Sequence, residues 1–405
     1  MIKIKDKIKF SLFALTITFG LFACAGSDSN NSDDISDRRA SWMAGNWGVT
    51  HRVDGGYKLD NSAGSSDWQA GAEEIVENIP NASYVITSFT HPAHGYLFTL
   101  RTNNNLDVSD IHADMVPTLE NEQIILDVID IYRNAGKKVI LYLNLGGPSM
   151  AAERNDPDIQ AAWEAYYESE WDGDEGAAWR NLVQGYAERF DGLVDGYWLD
   201  NANNLAGEVS DFIEMLRDID PTLSIAFNSS KNYFTDDDSN YLYVDSDGLD
   251  DEDEKDYKIV KHLVSNEYMD FTNGHVTPLG QGAPPNSWAY EEYTIPHMIE
   301  TPWDTYDDTD SDTYGLKHGW FPIRDSWSGS SAELMFDVEQ AYRFVRTITD
   351  GSAAITWSTT QKRGAMPDDE MDIMIEINDR MTQSPKVDYV EYERPAGAYL
   401  VGESQ

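Results

Sequence analysis

The chain has 405 residues, 41% of them apolar and 25% charged, enough for one large domain or two small ones. Its 72 acidic against 29 basic residues give a net charge of −43, which excludes the basic face that nucleic-acid binding needs. The same balance excludes a grip on polyanions spread over the whole surface, so an anionic substrate needs a local basic site within a negative field.

Residues 1–23 carry the marks of a secretory signal. Lys3, Lys5, Lys7 and Lys9 precede an apolar stretch from Phe10 to Phe22 that is too short to span a bilayer. Leu21-Phe22-Ala23-Cys24 has the form of a bacterial lipobox, and Cys24 is the sole cysteine. An internal disulfide is therefore excluded. Lipid attachment at Cys24 is expected, with the membrane as partner and the cell envelope as location. A Ser/Asn/Asp-rich tether completes residues 24–40. Removing residues 1–23 takes away four Lys and one Asp, leaving 25 basic and 71 acidic residues and a net of −46. This reads as a solvated acidic surface.

The remainder, 41–405, reads as a single catalytic domain. Ser41 to Val53 is expected as a first strand with a polar exit at His51 and Arg52. Trp68 to Ile79 reads as a helix and Ser83 to Phe89 as a strand running into Thr90-His91-Pro92-Ala93-His94-Gly95. Two His three apart after a strand suit metal ligands or partners for sugar hydroxyls. No third or fourth ligand stands at zinc spacing, so no metal and no cofactor are expected.

Glu120 to Ala135 places Ile124, Ile125, Val128, Ile129 and Tyr132 at helical spacing, stopped by Gly136. Val139 to Leu145 is the next strand, followed by helices over Ala161–Tyr167 and Trp179–Phe190. The apolar run Leu193–Leu199 then stops on Asp200, and a helix follows over Val209–Leu216. A carboxylate at the carboxyl end of a buried strand is where a β/α barrel keeps its reactive groups, although Asp200 would also serve as a helix cap. Leu223 to Asn228 is a further strand.

Residues 235–257 form an acidic insert. In it, Asp245-Ser246-Asp247-Gly248-Leu249-Asp250 has the oxygen spacing of a calcium loop, but position twelve is Asp256 rather than Glu. A solvated loop is the first reading and calcium the second. Residues 304–312 form another acidic cluster. His262 to Phe271 carries Glu267 at an expected strand or loop end, and Pro284 to Tyr306 is an aromatic loop region. Val338 to Thr347 reads as a helix, Gly351 to Ser358 as a last strand, 369–382 as a helix, and 387–391 with 399–401 as a hairpin. Strand and helix alternate at barrel spacing, and neither a dinucleotide fingerprint nor a P-loop is present. The fold class expected is α/β, a (β/α)8 TIM-like barrel.

With twelve Trp and twenty-two Tyr the chain is rich in rings that suit sugars. Retaining hydrolysis of a glycoside needs one group to attack and one to donate a proton. Asp200 and Glu267 on successive strand ends suit those roles, although in so acidic a chain composition alone nominates no pair.

Several motifs, in order, resemble one family. Trp47-Gly48-Val49-Thr50-His51 resembles the first-strand Trp-Gly-x-x-x-His of family 29 α-L-fucosidases. Thr90 to Tyr96 is similar to a stretched form of their His-His-(Asp/Glu)-Gly-Phe. Asp195-Gly196-Tyr197-Trp198-Leu199-Asp200 resembles the Asp-x-x-Trp-x-Asp strand whose last Asp is the nucleophile. Pro221 to Asn228 resembles the strand ending in Asn. Asn266-Glu267-Tyr268 is similar to the segment carrying the acid/base in some members, and Ile299-Glu300-Thr301 with Trp303 resembles a later Trp-Glu-Thr segment.

The paired His are split by Pro92-Ala93, and the C-terminal β-sandwich usual in that family has no room after residue 358. A single domain with a lipobox looks more like the related marine enzymes that cut within sulfated fucans. The resemblance implies a retaining glycoside hydrolase acting on a fucose-containing polysaccharide. Asp200 and Glu267 would be catalytic, though the acid/base is a His in some of these enzymes. Glu300 and His297 stand as alternatives. The residues implied at the sugar are Trp47, His51, His91, His94, Tyr96, Trp198, Asn228, Glu300 and Trp303. The other readings are an exo-acting α-L-fucosidase and a non-catalytic glycan-binding lipoprotein on the same barrel.

Overall fold

The computed structural model describes residues 35–53, 65–90, 98–154, 156–228, 241–244, 257–260, 264, 266–275, 288, 290–306, 314–324, 327 and 333–394. The signal, Cys24, the calcium-like stretch 245–256 and the expected strand at 399–401 lie outside these residues, while 387–391 carries no regular structure. Residues 35–40, expected as tether, form short 3-10 turns with 39–43, and Ala40 is buried.

Seven strands make one all-parallel sheet. They are β1 (Trp47–Thr50), β2 (Tyr84–Ser88), β3 (Lys138–Asn144), β4 (Gly196–Asp200), β5 (Ser224–Phe227), β10 (His318–Pro322) and β11 (Ala354–Ser358). Their order is β10-β11-β1-β2-β3-β4-β5. Two small antiparallel pairs, β6 (Tyr241–Val244) with β7 (Tyr257–Val260) and β8 (Trp303–Thr305) with β9 (Tyr314–Leu316), lie outside the sheet. Helices α1 (Ser65–Asn78), α2 (Ile124–Asn134), α3 (Pro157–Glu170), α4 (Glu175–Phe190), α5 (Val209–Ile219), α6 (Ile295–Glu300), α7 (Val338–Asp350) and α8 (Asp368–Thr382) intervene or follow.

The strands are apolar on both faces because both faces are covered. Val85, Leu141, Leu199, Ile225, Phe321 and Trp357 join the larger core with the apolar faces of the helices. The alternate positions Tyr84, Ile86, Ile140, Tyr142, Trp198, Ala226, Trp320 and Ala354 make a second, inner cluster. Gly48 is the inner position of β1, where a Cβ would stand 2.4 Å from the Tyr84 ring, so the missing side chain makes room for the phenol.

Residues 270–275 run along both free edges of the sheet. Asp270 N donates to Ile225 O of β5 (2.8 Å), Thr272 N to Leu316 O (2.9 Å), and Trp320 N to Gly274 O (2.8 Å). Phe271 pairs with Leu316 and His275 with Trp320 in parallel bridges. Side chains replace much of the usual ladder. Ile225 N donates to Asp270 Oδ2, Asn273 Nδ2 to Phe227 O, and His318 N to Thr272 Oγ1, each at 2.9 Å. This substitution explains why the segment is irregular where an eighth strand was expected.

His318 lies inside the sheet with no exposed surface. Its Nδ1 faces the Thr272 carbonyl (3.1 Å) and Nε2 the Thr356 hydroxyl (2.7 Å). A carbonyl only accepts, so Nδ1 carries the proton. Burial pushes the imidazole down from the usual range to about 4. The unfolded chain thus takes up a proton below about pH 6.5 that the folded chain refuses until about pH 4, and stability falls as pH drops through that window. Between pH 7 and 5 the loss from this residue amounts to about 2 kcal/mol. Urea unfolding should show a drop larger by that amount in the wild type than in His318→Asn. Equal drops in the two proteins would refute the buried neutral imidazole.

Candidate active site

Asp200 ends β4 on the inner face, two residues after Trp198. Its Oδ1 accepts from Asn228 Nδ2 (2.7 Å) and from the Asn201 amide (2.9 Å), and Tyr142 OH donates to Oδ2. Asn201 turns the chain with φ +52°, a left-handed geometry that Asn tolerates better than most residues. Three donors, from β3, from the residue just past β5 and from the turn, therefore fix one half-buried carboxylate, so Asp200 does more than cap a helix.

A stack of rings continues from the Tyr142 that holds Asp200. Tyr142 lies parallel to Trp198 (5.3 Å between centroids), Trp198 to His275 (5.6 Å), and His275 to Trp327 (4.5 Å). Trp320 stands edge-on to Trp198 at 4.4 Å. Trp198 is 1% exposed and its indole donates to Asn273 O (2.8 Å), so it supports the site from below rather than offering a sugar a free face. His275 is held by its backbone, where Asn273 Oδ1 accepts from the His275 amide (2.8 Å). Before it, Gly274 has φ +79°, and a Cβ there would stand 2.6 Å from Trp320 N. No side chain fits, and the glycine sets the angle at which His275 leaves the strand.

Other expected residues lie elsewhere. Trp47 is 2% exposed and belongs to the outer core between sheet and helices. His51, fully buried, points the same way. Its Nε2 meets Gly364 O and its Nδ1 accepts from Tyr132 OH, both at 2.8 Å, against the Trp68 ring. Both were expected at the sugar, but alternation along β1 turns them outward and turns Thr50 and Arg52 inward.

Glu267 is exposed and lies three residues before Asp270, at the amino-terminal end of its segment, whereas Asp200 is at the carboxyl-terminal end of β4. Glu300 is exposed at the end of α6. The neighbouring Thr301 Oγ1 and His297 O accept from Lys317 Nζ, which leads into the amino end of β10. Trp303 lies beneath Arg38 (4.9 Å), within the amino-terminal layer. The structure thus brings Asn228 and Trp198 to Asp200 and leaves Glu267, Glu300, His297 and Trp303 at the opposite ends of the strands. His91, His94 and Tyr96 lie outside the described residues.

Tyr142 and His275 were not singled out from sequence. For His275 the signal was Phe271, Asn273 and His275 at alternate positions, one strand face ending on an imidazole. Among the described residues no group of three His, Cys, Asp or Glu is placed to hold a metal ion.

A family model described as Endo-alpha(1,4)-fucoidanase Mef1 matches residues 37–404. The endo-fucoidan hydrolase P5AFcnA of glycoside hydrolase family 107 is 78% identical with a TM-score of 0.83, over 90% of this chain and 98% of that one. The endo-fucoidan hydrolase MfFcnA4 of the same family is 16% identical with a TM-score of 0.61, over 84% of this chain and 53% of that one. The α-L-fucosidase isoenzyme 1 of Paenibacillus thiaminolyticus is 12% identical with a TM-score of 0.51, over 86% and 76% of the two chains, a likeness of fold alone. No curated protein matches. The fucosidase resemblance read from the motifs therefore reduces to a shared fold. A carboxylate and an imidazole on one aromatic wall, on a chain matched almost end to end, lead to one conclusion: the protein belongs to the endo-α(1,4)-fucoidanase Mef1 family and is a glycoside hydrolase acting on fucoidan.

Proposed function

We propose that the protein cuts α-L-fucosidic bonds within sulfated fucan by a retaining, two-step mechanism, with Asp200 as nucleophile and His275 as acid/base. The observation that carries this reading is the fixing of Asp200 by Tyr142, Asn228 and Asn201 on the wall that also carries His275. In the first step a carboxylate oxygen of Asp200 bonds to the anomeric carbon and the bond to the leaving oxygen breaks. His275 gives that oxygen its proton. In the second, water attacks the glycosyl ester, His275 takes the water's proton, and Asp200 leaves as carboxylate. Two inversions return the α-anomer.

The hydrogen bonds of 270–275 to both sheet edges support reading the sheet as a closed (β/α)8 barrel, with this site at its carboxyl-terminal mouth. The lipobox supports a protein tethered to the cell envelope through Cys24.

The test is hydrolysis of sulfated fucan followed by product size and NMR of the first-formed anomer. A ladder of oligosaccharides with new α-anomeric ends is expected. Free fucose as the first product would favour exo action, and β-anomeric ends would exclude retention.

A further inference from the structure

Most described cations are spent on carboxylates, as in Arg39–Asp270, Arg343–Glu291 and Arg324–Glu370. Arg52 is different. It is half-buried on the inner face just past β1, and among the described residues it pairs with no carboxylate. Its guanidinium donates to two backbone carbonyls, Trp327 O and Thr359 O. Burial pushes it down to about 10, with Tyr142 and Glu370 near enough to pull it partly back, so it stays charged at neutral pH.

The same inner face holds donors with nothing to donate to. The hydroxyls of Ser88 and Ser358 and the indole N–H groups of Trp320 and Trp327 are buried without a hydrogen-bond partner among the described residues. Ser88 is 0% exposed and Ser358 1%. Register places Ser88 beside Arg52 and Ser358 beside Thr50, the inner position before it. Thr50 pairs with Ile86, so Arg52 runs level with Ser88, and Val49 pairs with Trp357, one residue before Ser358. Buried polar groups left unpaired in a folded protein call for an explanation. Here every member of the set can donate and one is cationic, a combination made for an anion rich in acceptor oxygens.

We propose that Arg52, backed by these hydroxyls and indoles, holds a sulfate ester of the substrate and selects sulfated over unsulfated fucan; this rests on the hydrolase reading above. A sulfate ester offers three acceptor oxygens and no proton, matching a cluster made of donors. Arg52 is a local positive site within a chain of net charge −43. It also hangs from the Trp327 carbonyl, and the Trp327 ring stacks on His275. A sulfate bound there lies on the wall that carries the acid/base.

The test uses the full chain, a sulfated fucan oligosaccharide and its chemically desulfated counterpart. Arg52→Gln should lower the ratio of kcat/KM on the sulfated over the desulfated glycan by about 10- to 100-fold, and Arg52→Lys should restore part of it. Calorimetric titration with sodium sulfate at constant ionic strength should show binding to the wild type and none to Arg52→Gln. If the glutamine variant does not fold, Ser358→Ala reads the same ratio, with an expected fall of roughly 3- to 10-fold. An unchanged ratio in a folded variant, or equal sulfate binding by wild type and variant, overturns the pocket. A wild type that cuts fucan while the ratio stays unchanged in the variant keeps the reaction and loses the pocket. One that cuts neither glycan yet binds sulfate through Arg52 keeps the pocket and loses the reaction.

Discussion

Asp200→Asn is expected to fold and to lose roughly 10⁴-fold or more in fucan hydrolysis, the scale on which removing an enzyme's nucleophile acts. The amide has the same shape but cannot form the glycosyl ester. The structure also bounds the cost to stability. Asp200 accepts from Tyr142, Asn228 and Asn201, and an amide turns one accepting oxygen into a donor facing another donor. One such mismatch costs about 1–3 kcal/mol, so the melting temperature should fall by a few degrees without loss of the fold. Reducing-end assays and a thermal melt check both halves. A variant that keeps a tenth of wild-type activity would remove Asp200 from the nucleophile's role.

His275→Gln is the second large effect. Loss of a general acid/base costs about 10²- to 10⁴-fold. The loss should be steep on polysaccharide, whose leaving alcohol needs a proton, and much smaller on an aryl α-L-fucoside whose phenolate leaves unaided, provided the wild type turns that substrate over. Azide should then speed the variant on the aryl substrate, since a small anion replaces the water that His275 no longer activates. Glu267→Gln and Glu300→Gln, at exposed positions remote from Asp200, should stay near wild type on both. If Glu267→Gln shows the differential pattern and His275→Gln slows both substrates equally, the role returns to Glu267.

Much of the sheet was legible because its strands announce themselves. The runs at 83–89, 139–145, 193–199, 223–228 and 351–358 are short, apolar and bounded by polar residues, as a doubly covered parallel sheet requires. Asp200 was legible because the run stops on it. The face of each strand was less so. Motif order located Trp47 and His51 on β1, but a sheet buried on both sides shows no polar alternation to tell inside from outside. The ends of 270–275 were hidden for another reason. Side chains stand in for the backbone, Asp270 and Thr272 accepting from Ile225 N and His318 N and Asn273 donating to Phe227 O, so a polar stretch does a strand's work. With that strand's start misplaced by a few residues, Glu267 was taken for its carboxyl end and His275 was overlooked. Strand β10 was missed likewise, because Gly319 and Pro322 break the apolar pattern within five residues.

The amino-terminal residues make contacts with residues far along the chain. Trp47 pairs with Ile355, Gly45 N donates to Ala353 O, and Arg39 Nε reaches Pro221 O. During synthesis β1 emerges first but finds its β11 partner only about 300 residues later, roughly 15–60 s at ribosomal speed. Until then one edge of β1 has no neighbour and the inner cluster has no lid. Loop closure over such a separation is slow, because its entropy is spent before any contact repays it. The inner face of the sheet is therefore sealed only when the strand made last, β11, has joined the one made first.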